Sequence, residues 1–236
     1  YRTDKNGNTE VFLDPNKFSE KGTTSMSGLS FNKKGTLAAY NISEGGSDWQ
    51  KIVIINAITK EKIDETITDV KFSGASWLGD EGFFYSTYGK VQGSELSAKT
   101  DMHKVYFHKL GTKQSEDKHI IGDENFKRRY MNIGVSDDER FLILSAATAT
   151  NGNELYVKDL KNNTDWIAIQ KGYDYNTDVL DTKGDFIYIM TDKNAPNMKL
   201  QKFDIKNPSV WTDVIPETEN VLSASTGGGY IFAKYM

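Results

Sequence analysis

A chain of 236 residues with 37% hydrophobic and 26% charged residues has the size and composition of a globular protein that can bury a core as one domain. Its net charge of −4 gives no electrostatic reason for a nucleic-acid partner. It contains no cysteine, which excludes disulfides, thiolate metal sites and cysteine nucleophiles and leaves reducing and oxidising compartments equally open.

Helical periodicity is almost absent. Apolar residues alternate or cluster in runs of about four to six between turn residues, the signature of strands. The chain opens with the turn Asp4-Lys5-Asn6-Gly7-Asn8 and the apolar run Glu10-Val11-Phe12-Leu13. Asp4, Asn6 and Asn8 have the spacing that begins a calcium loop. The closing Glu is missing, and Asn-Gly is a strong hairpin signal, so no metal is assigned. Residues near Arg2-Thr3 and 10–13 are read as the last two strands of one sheet.

From Leu29 onward a unit recurs: a short strand, a polar turn and a longer apolar strand. The turn residues are Gly35, Gly82, Glu139, Gly184 and Gly228, in steps of 47, 57, 45 and 44 residues. Each turn precedes an apolar run, as in Leu37-Ala38-Ala39-Tyr40, Phe83-Phe84-Tyr85 and Phe141-Leu142-Ile143-Leu144. A third run follows in each unit, for example Ile52-Val53-Ile54-Ile55 and Leu155-Tyr156-Val157, and then a weaker fourth. Four strands every ~45 residues is the pattern of a β-propeller. A lone four-stranded sheet leaves both faces wet, and stacking around an axis buries them.

The fold class expected is therefore all-β, a propeller of four-stranded antiparallel blades. Blades are expected at 27–70, 73–122, 131–171 and 177–217, with half-blades at 1–20 and 221–236. The long step places an insertion at 88–103, expected on the surface. Because the chain starts at Tyr1 and ends within the run Ile231-Phe232-Ala233-Lys234-Tyr235-Met236, it reads as a fragment. The two half-blades are complementary, so they are expected either to close a five-bladed ring or to pair between molecules in an oligomer.

Four motifs occur in order: Val11-Phe12-Leu13-Asp14-Pro15-Asn16, Gly46-Ser47-Asp48-Trp49, Val70-Lys71-Phe72-Ser73, and Lys109-Leu110-Gly111-Thr112 followed by Gln114-Ser115-Glu116-Asp117. Together they resemble the prolyl oligopeptidase (prolyl endopeptidase) family over essentially the whole chain. The resemblance implies a serine peptidase in which a seven-bladed propeller covers an α/β-hydrolase domain and admits only short peptides, cleaved after proline. This chain resembles the middle portion of that propeller. The implied partners are the hydrolase domain and short proline-containing peptides; no cofactor, nucleic acid or membrane is expected, and a soluble protein of periplasm or cytoplasm leaves the compartment open. The catalytic triad of the family lies outside this chain. No Gly-x-Ser-x-Gly elbow is present. Ser94 and Ser97 near His103 read as a surface loop rather than a nucleophile and its base.

The resemblance also marks substrate-binding candidates. Asp48 is similar to an aspartate that faces a substrate-binding arginine of the hydrolase domain; otherwise it caps its own loop. Phe72 resembles a phenylalanine lining the substrate pocket; otherwise it is a core aromatic. The family places a pocket-lining side chain just before the strand that follows Arg129, and Arg129-Tyr130-Met131-Asn132-Ile133 leaves Tyr130 and Met131 both open. Trp49 and Trp77 read as packing anchors between blades. A free-standing propeller that scaffolds protein contacts is the competing reading.

Overall fold

The computed structural model describes residues 7–88 and 101–236. It contains four successive four-stranded antiparallel sheets and a final two-stranded one. The first holds β1 (Thr24–Phe31), β2 (Leu37–Glu44), β3 (Gln50–Asn56) and β4 (Ile67–Val70). The second holds β5 (Ser76–Leu78), β6 (Gly82–Thr87), β7 (Lys104–Lys109) and β8 (Lys118–Ile121). The third holds β9 (Tyr130–Val135), β10 (Phe141–Ala147), β11 (Glu154–Asp159) and β12 (Ile167–Gln170). The fourth holds β13 (Thr177–Lys183), β14 (Phe186–Thr191), β15 (Lys199–Asp204) and β16 (Thr212–Ile215). β17 (Leu222–Gly227) and β18 (Tyr230–Tyr235) form the last pair. One pairing, Val70 with Thr87, joins the first sheet to the second. This is the propeller arrangement expected from the repeat.

Strand periodicity decides how the sheets stack. Side chains alternate between faces, so an apolar run in a middle strand supplies two interfaces at once. In β2 and β3, Ala39, Ile52 and Ile54 pack against Trp77, Phe83 and Tyr85 of the second sheet. Ala38, Val53 and Ile55 face the other way and are covered by Phe12 and Leu13. Phe84, one residue after Phe83, faces Met131, Ile133, Leu142 and Leu144 of the third sheet. Phe141, Leu155 and Val157 then meet Ile187, Ile189 and Phe203 of the fourth. Trp77 is the packing anchor expected: it is buried, and its indole N–H donates to Ser30 Oγ on the neighbouring sheet at 3.1 Å.

The turns between first and second strands are also linked sheet to sheet. Asn32 Nδ2 donates to Asp80 at 2.7 Å, and the Gly79 N–H donates to Glu139 Oε1 at 2.8 Å. Arg140 bonds Asp159 in its own sheet and reaches the Gly184 carbonyl and Asp185 in the next. Four of the five turn markers, Gly35, Glu139, Gly184 and Gly228, adopt left-handed backbone with φ of 69, 60, 62 and 58°.

Three expectations need correction. Gly82 is not a turn residue: it opens β6, and a Cβ there would lie 1.9 Å from the His108 carbonyl oxygen. Its role is close approach of β6 to β7. Residues 10–13 form no strand; they lie as irregular chain against the first sheet, ahead of a 3-10 turn at Pro15–Lys17. Arg2 and Thr3 lie outside the described residues. Among the described residues β17 and β18 pair only with each other. Of the expected insertion, 89–100, including Ser94 and Ser97, lie outside the described residues, but His103 is buried rather than at the surface.

Gly82→Ala should lower stability by about 1–3 kcal/mol, because the methyl group meets backbone rather than a side chain that can move aside. An unchanged thermal midpoint would contradict this role.

Candidate functional site

β4 ends at Val70, and the chain crosses to β5 through Lys71-Phe72-Ser73-Gly74-Ala75. Two non-glycine residues are left-handed here, Asp69 within β4 at φ 58° and Phe72 in the crossing at φ 54°. Such conformations cost on the order of 1 kcal/mol each and persist where surrounding contacts fix them. Those contacts are present. Thr87 Oγ1 donates to the Asp69 carbonyl. His103 Nε2 lies 3.0 Å from the Lys71 carbonyl. The Ser73 hydroxyl accepts from the Ser86 N–H at 2.7 Å, and the Ser73 carbonyl accepts from Asn41 Nδ2 at 2.7 Å.

The result is that Phe72 points outward. It is 52% exposed and is not a core aromatic. Its ring meets Tyr130, 47% exposed, edge to face with centroids 5.5 Å apart. The Lys71 ammonium sits 5.1 Å from the Phe72 ring centroid and 5.3 Å from that of Trp49. It is also 3.4 Å from Asp48 Oδ2. The Lys71 side chain is 15% exposed and that of Asp48 is 69% exposed, so the carboxylate keeps an open side for a second cation. Trp49 is half-buried beside Lys71 and contacts Tyr88 at 6.4 Å.

Of the four candidates, Asp48 and Phe72 therefore gather around Lys71, and Tyr130 joins them through its ring contact with Phe72. Met131 does not join them. It is 1% exposed and packs with Phe84, Leu144 and Ala146. Strand alternation in β9 explains this: Tyr130 and Asn132 are exposed while Met131 and Ile133 turn inward.

Two buried histidines behave oppositely. His108 lies between Asp117 at 2.7 Å and Asp64 at 3.4 Å, with Tyr85 Oη donating to the same Asp117. Burial alone pulls its pKa down, but the two carboxylates outweigh this and raise it. Both ring nitrogens of His108 face carboxylates, so neither is turned towards a ligand. The ring clasps the first and second sheets instead. A cavity of about 590 Å³ nearby is lined by Tyr85, Gln114 and Asp117 and holds none of the four candidates.

His103 is 1% exposed and stacks on Tyr88 at 4.4 Å. Its Nδ1 accepts from the Met131 N–H at 2.9 Å, so Nδ1 carries no proton and Nε2–H donates to the Lys71 carbonyl. Burial lowers its pKa to about 4. The arrangement as a whole offers two exposed aromatic faces, a cation and a carboxylate.

Because an unfolded histidine titrates near 6.5, the native state takes up the His103 proton at lower pH than the unfolded state. Stability from this group is intact above about pH 6.5 and falls as pH drops towards 4, by about 3 kcal/mol in all. His108 has the reverse sign, losing its contribution as pH rises through its raised pKa. The stability difference between the unmodified protein and His103→Gln should therefore change between pH 6.5 and 4. A difference independent of pH there would contradict a buried neutral ring.

Comparison with known proteins gives the family. A family model described as "Prolyl oligopeptidase, N-terminal beta-propeller domain" matches residues 1–236. The chain is 65% identical over 239 residues to the prolyl endopeptidase of Elizabethkingia meningoseptica, covering 100% of this chain and 34% of that protein. It is 63% identical to the prolyl endopeptidase of Elizabethkingia miricola over the same shares. Among solved structures it superposes on prolyl oligopeptidase B of Galerina marginata bound to a 25mer macrocyclization substrate, with a TM-score of 0.87 at 25% identity. That match covers 96% of this chain and 34% of that one. A structure from a study of two prolyl endopeptidases gives a TM-score of 0.85 at 26% identity, over 96% of this chain and 32% of that one. The chain thus spans about a third of the length of the relatives it matches, and it belongs to the prolyl oligopeptidase family, its matched part being the N-terminal β-propeller domain.

Proposed function

We propose that this chain is the gating and substrate-contacting part of a serine peptidase that cleaves short peptides after proline. The observation that carries the reading is the exposed Phe72–Tyr130 pair, held outward at a backbone cost and flanked by Lys71 and Asp48. A soluble domain has no packing reason to hold a phenylalanine in left-handed backbone with half its surface wet. A peptide running over the two rings would bury them.

Roles follow from chemistry. Phe72 and Tyr130 give an apolar wall for residues on the N-terminal side of the scissile proline. Asp48, exposed at the rim, orients an arginine of a hydrolase domain through charge-assisted hydrogen bonds. Lys71 holds Asp48 in place and neutralises it until that arginine arrives. Support comes from the Galerina relative, whose structure contains a bound 25mer substrate, and from relatives of about three times this chain's length. A free-standing scaffold draws no comparable support.

In the full-length polypeptide that carries this segment, Phe72→Ala should reduce kcat/KM for peptides extended on the N-terminal side of proline more than for minimal ones. Loss of one aromatic wall corresponds to about 1–3 kcal/mol of binding. Equal losses for long and short peptides would point to a folding defect and against the role. The 236-residue chain alone should not hydrolyse a Gly-Pro reporter, since its sequence has no nucleophile elbow. Turnover that follows the purified chain through successive columns would defeat this.

A further inference from the structure

We propose that His103 is a positioning residue for peptide specificity: its ring ties the backbone that presents Phe72 to the strand that presents Tyr130, and so sets the spacing of the two rings. The inference rests on the reading that this pair contacts peptide. It adds a residue that neither touches the peptide nor belongs to any motif of the chain.

Phe72 and Tyr130 come from different sheets, one leaving the first and the other opening the third. Nothing in the direct contact of two half-exposed rings fixes their backbones. The second sheet does that. His103 precedes β7 and reaches both: Nε2–H donates to the Lys71 carbonyl, one peptide unit from Phe72, and Nδ1 accepts from the Met131 N–H, one peptide unit from Tyr130. An imidazole is a planar, rigid group with one donor and one acceptor when neutral, so it can hold one carbonyl and one N–H at a fixed separation. Serine 86 gives a parallel tie, its N–H donating to Ser73 Oγ and its Oγ donating to the Met131 carbonyl at 2.9 Å.

The ring is itself held. Tyr88 stacks on it, and the backbone of His103 is approached so closely by Gly122 that a Cβ there would lie 2.7 Å from the His103 carbonyl oxygen. Gly122 also has φ +116°, which favours glycine. The clamp is therefore a built feature of the seam between three sheets. Among the described titratable groups, Tyr88 stacks on the ring, and the Lys71 ammonium is paired with Asp48 at 3.4 Å.

The test uses the full-length polypeptide and two substrates, a minimal Gly-Pro reporter and the same reporter extended by three residues on its N-terminal side. The readout is the ratio of kcat/KM, extended over minimal. His103→Leu, which fills the space without hydrogen bonds, should lower the ratio about tenfold, chiefly through KM. His103→Gln, which keeps one donor and one acceptor on a planar group, should restore it to within about twofold. Because His103 acts through the aromatic pair, adding His103→Leu to Phe72→Ala should lower the ratio little beyond Phe72→Ala alone. An unchanged ratio in the leucine variant, a glutamine variant as impaired as leucine, or fully additive losses would overturn the inference. If Phe72→Ala itself leaves the ratio unchanged, the underlying reading fails instead. If the leucine variant does not fold, ¹⁵N-histidine spectra of the unmodified protein decide. A ring protonated on Nε2 alone at pH 7 is expected for His103, its signal identified by its loss in the glutamine variant. Protonation on Nδ1 would overturn the clamp.

Discussion

Everything in this structure depends on covering both faces of each four-stranded sheet. A sheet of this size cannot bury its own faces, so each must find a neighbour on either side. The sequence answers with middle strands apolar at consecutive positions, such as Ile52-Val53-Ile54-Ile55, all buried and facing alternately in two directions. At about 25 cal/mol per Å² of apolar surface, such interfaces dominate the stabilising side of folding. The turn-to-turn bonds of Asn32 with Asp80 and Gly79 with Glu139 align sheets whose packing apolar contacts already favour.

The candidate site is a consequence of that stacking. Where the chain passes from the outer strand of one sheet to the inner strand of the next, its backbone must turn at the seam, and it cannot continue a ladder there. Hydrogen bonds from the second sheet, through Thr87, Ser86 and His103, replace the missing ladder partners. Left-handed Phe72 is tolerated because these bonds over-determine its neighbours. The same seam brings Tyr130, which opens the third sheet, within ring contact. Asp48 reaches the site from the loop between β2 and β3, and Lys71 connects it to the rings.

The repeat was legible because period-two alternation and turn residues are local signals. The same reading misjudged Val11-Phe12-Leu13. Three apolar residues look alike whether they pair in a ladder or merely cover a face, and here Phe12 and Leu13 cover Ala38, Val53 and Ile55 without pairing. Gly82 reads as a turn residue in the sequence because glycine marks both turns and close approaches, and only the neighbouring strand reveals which. Motif resemblance marks Asp48, Phe72, Tyr130 and Met131 as candidates, and the register of β9 turns Met131 inward. Lys71 stood inside a quoted motif with no role. His103 had no readable signal, since its partners are backbone atoms 32 and 28 residues away, and backbone atoms leave no trace in a sequence.

The central claim is that the Phe72–Tyr130 pair contacts the peptide. The most direct measurement is a crystal structure of the full-length polypeptide with a peptide-based inhibitor extended on the N-terminal side of proline. The account predicts the extended residues within van der Waals distance of both rings, about 4 Å, with Asp48 hydrogen-bonded to an arginine of the hydrolase domain. A bound peptide that runs elsewhere, with Phe72 and Tyr130 still facing solvent, would contradict it.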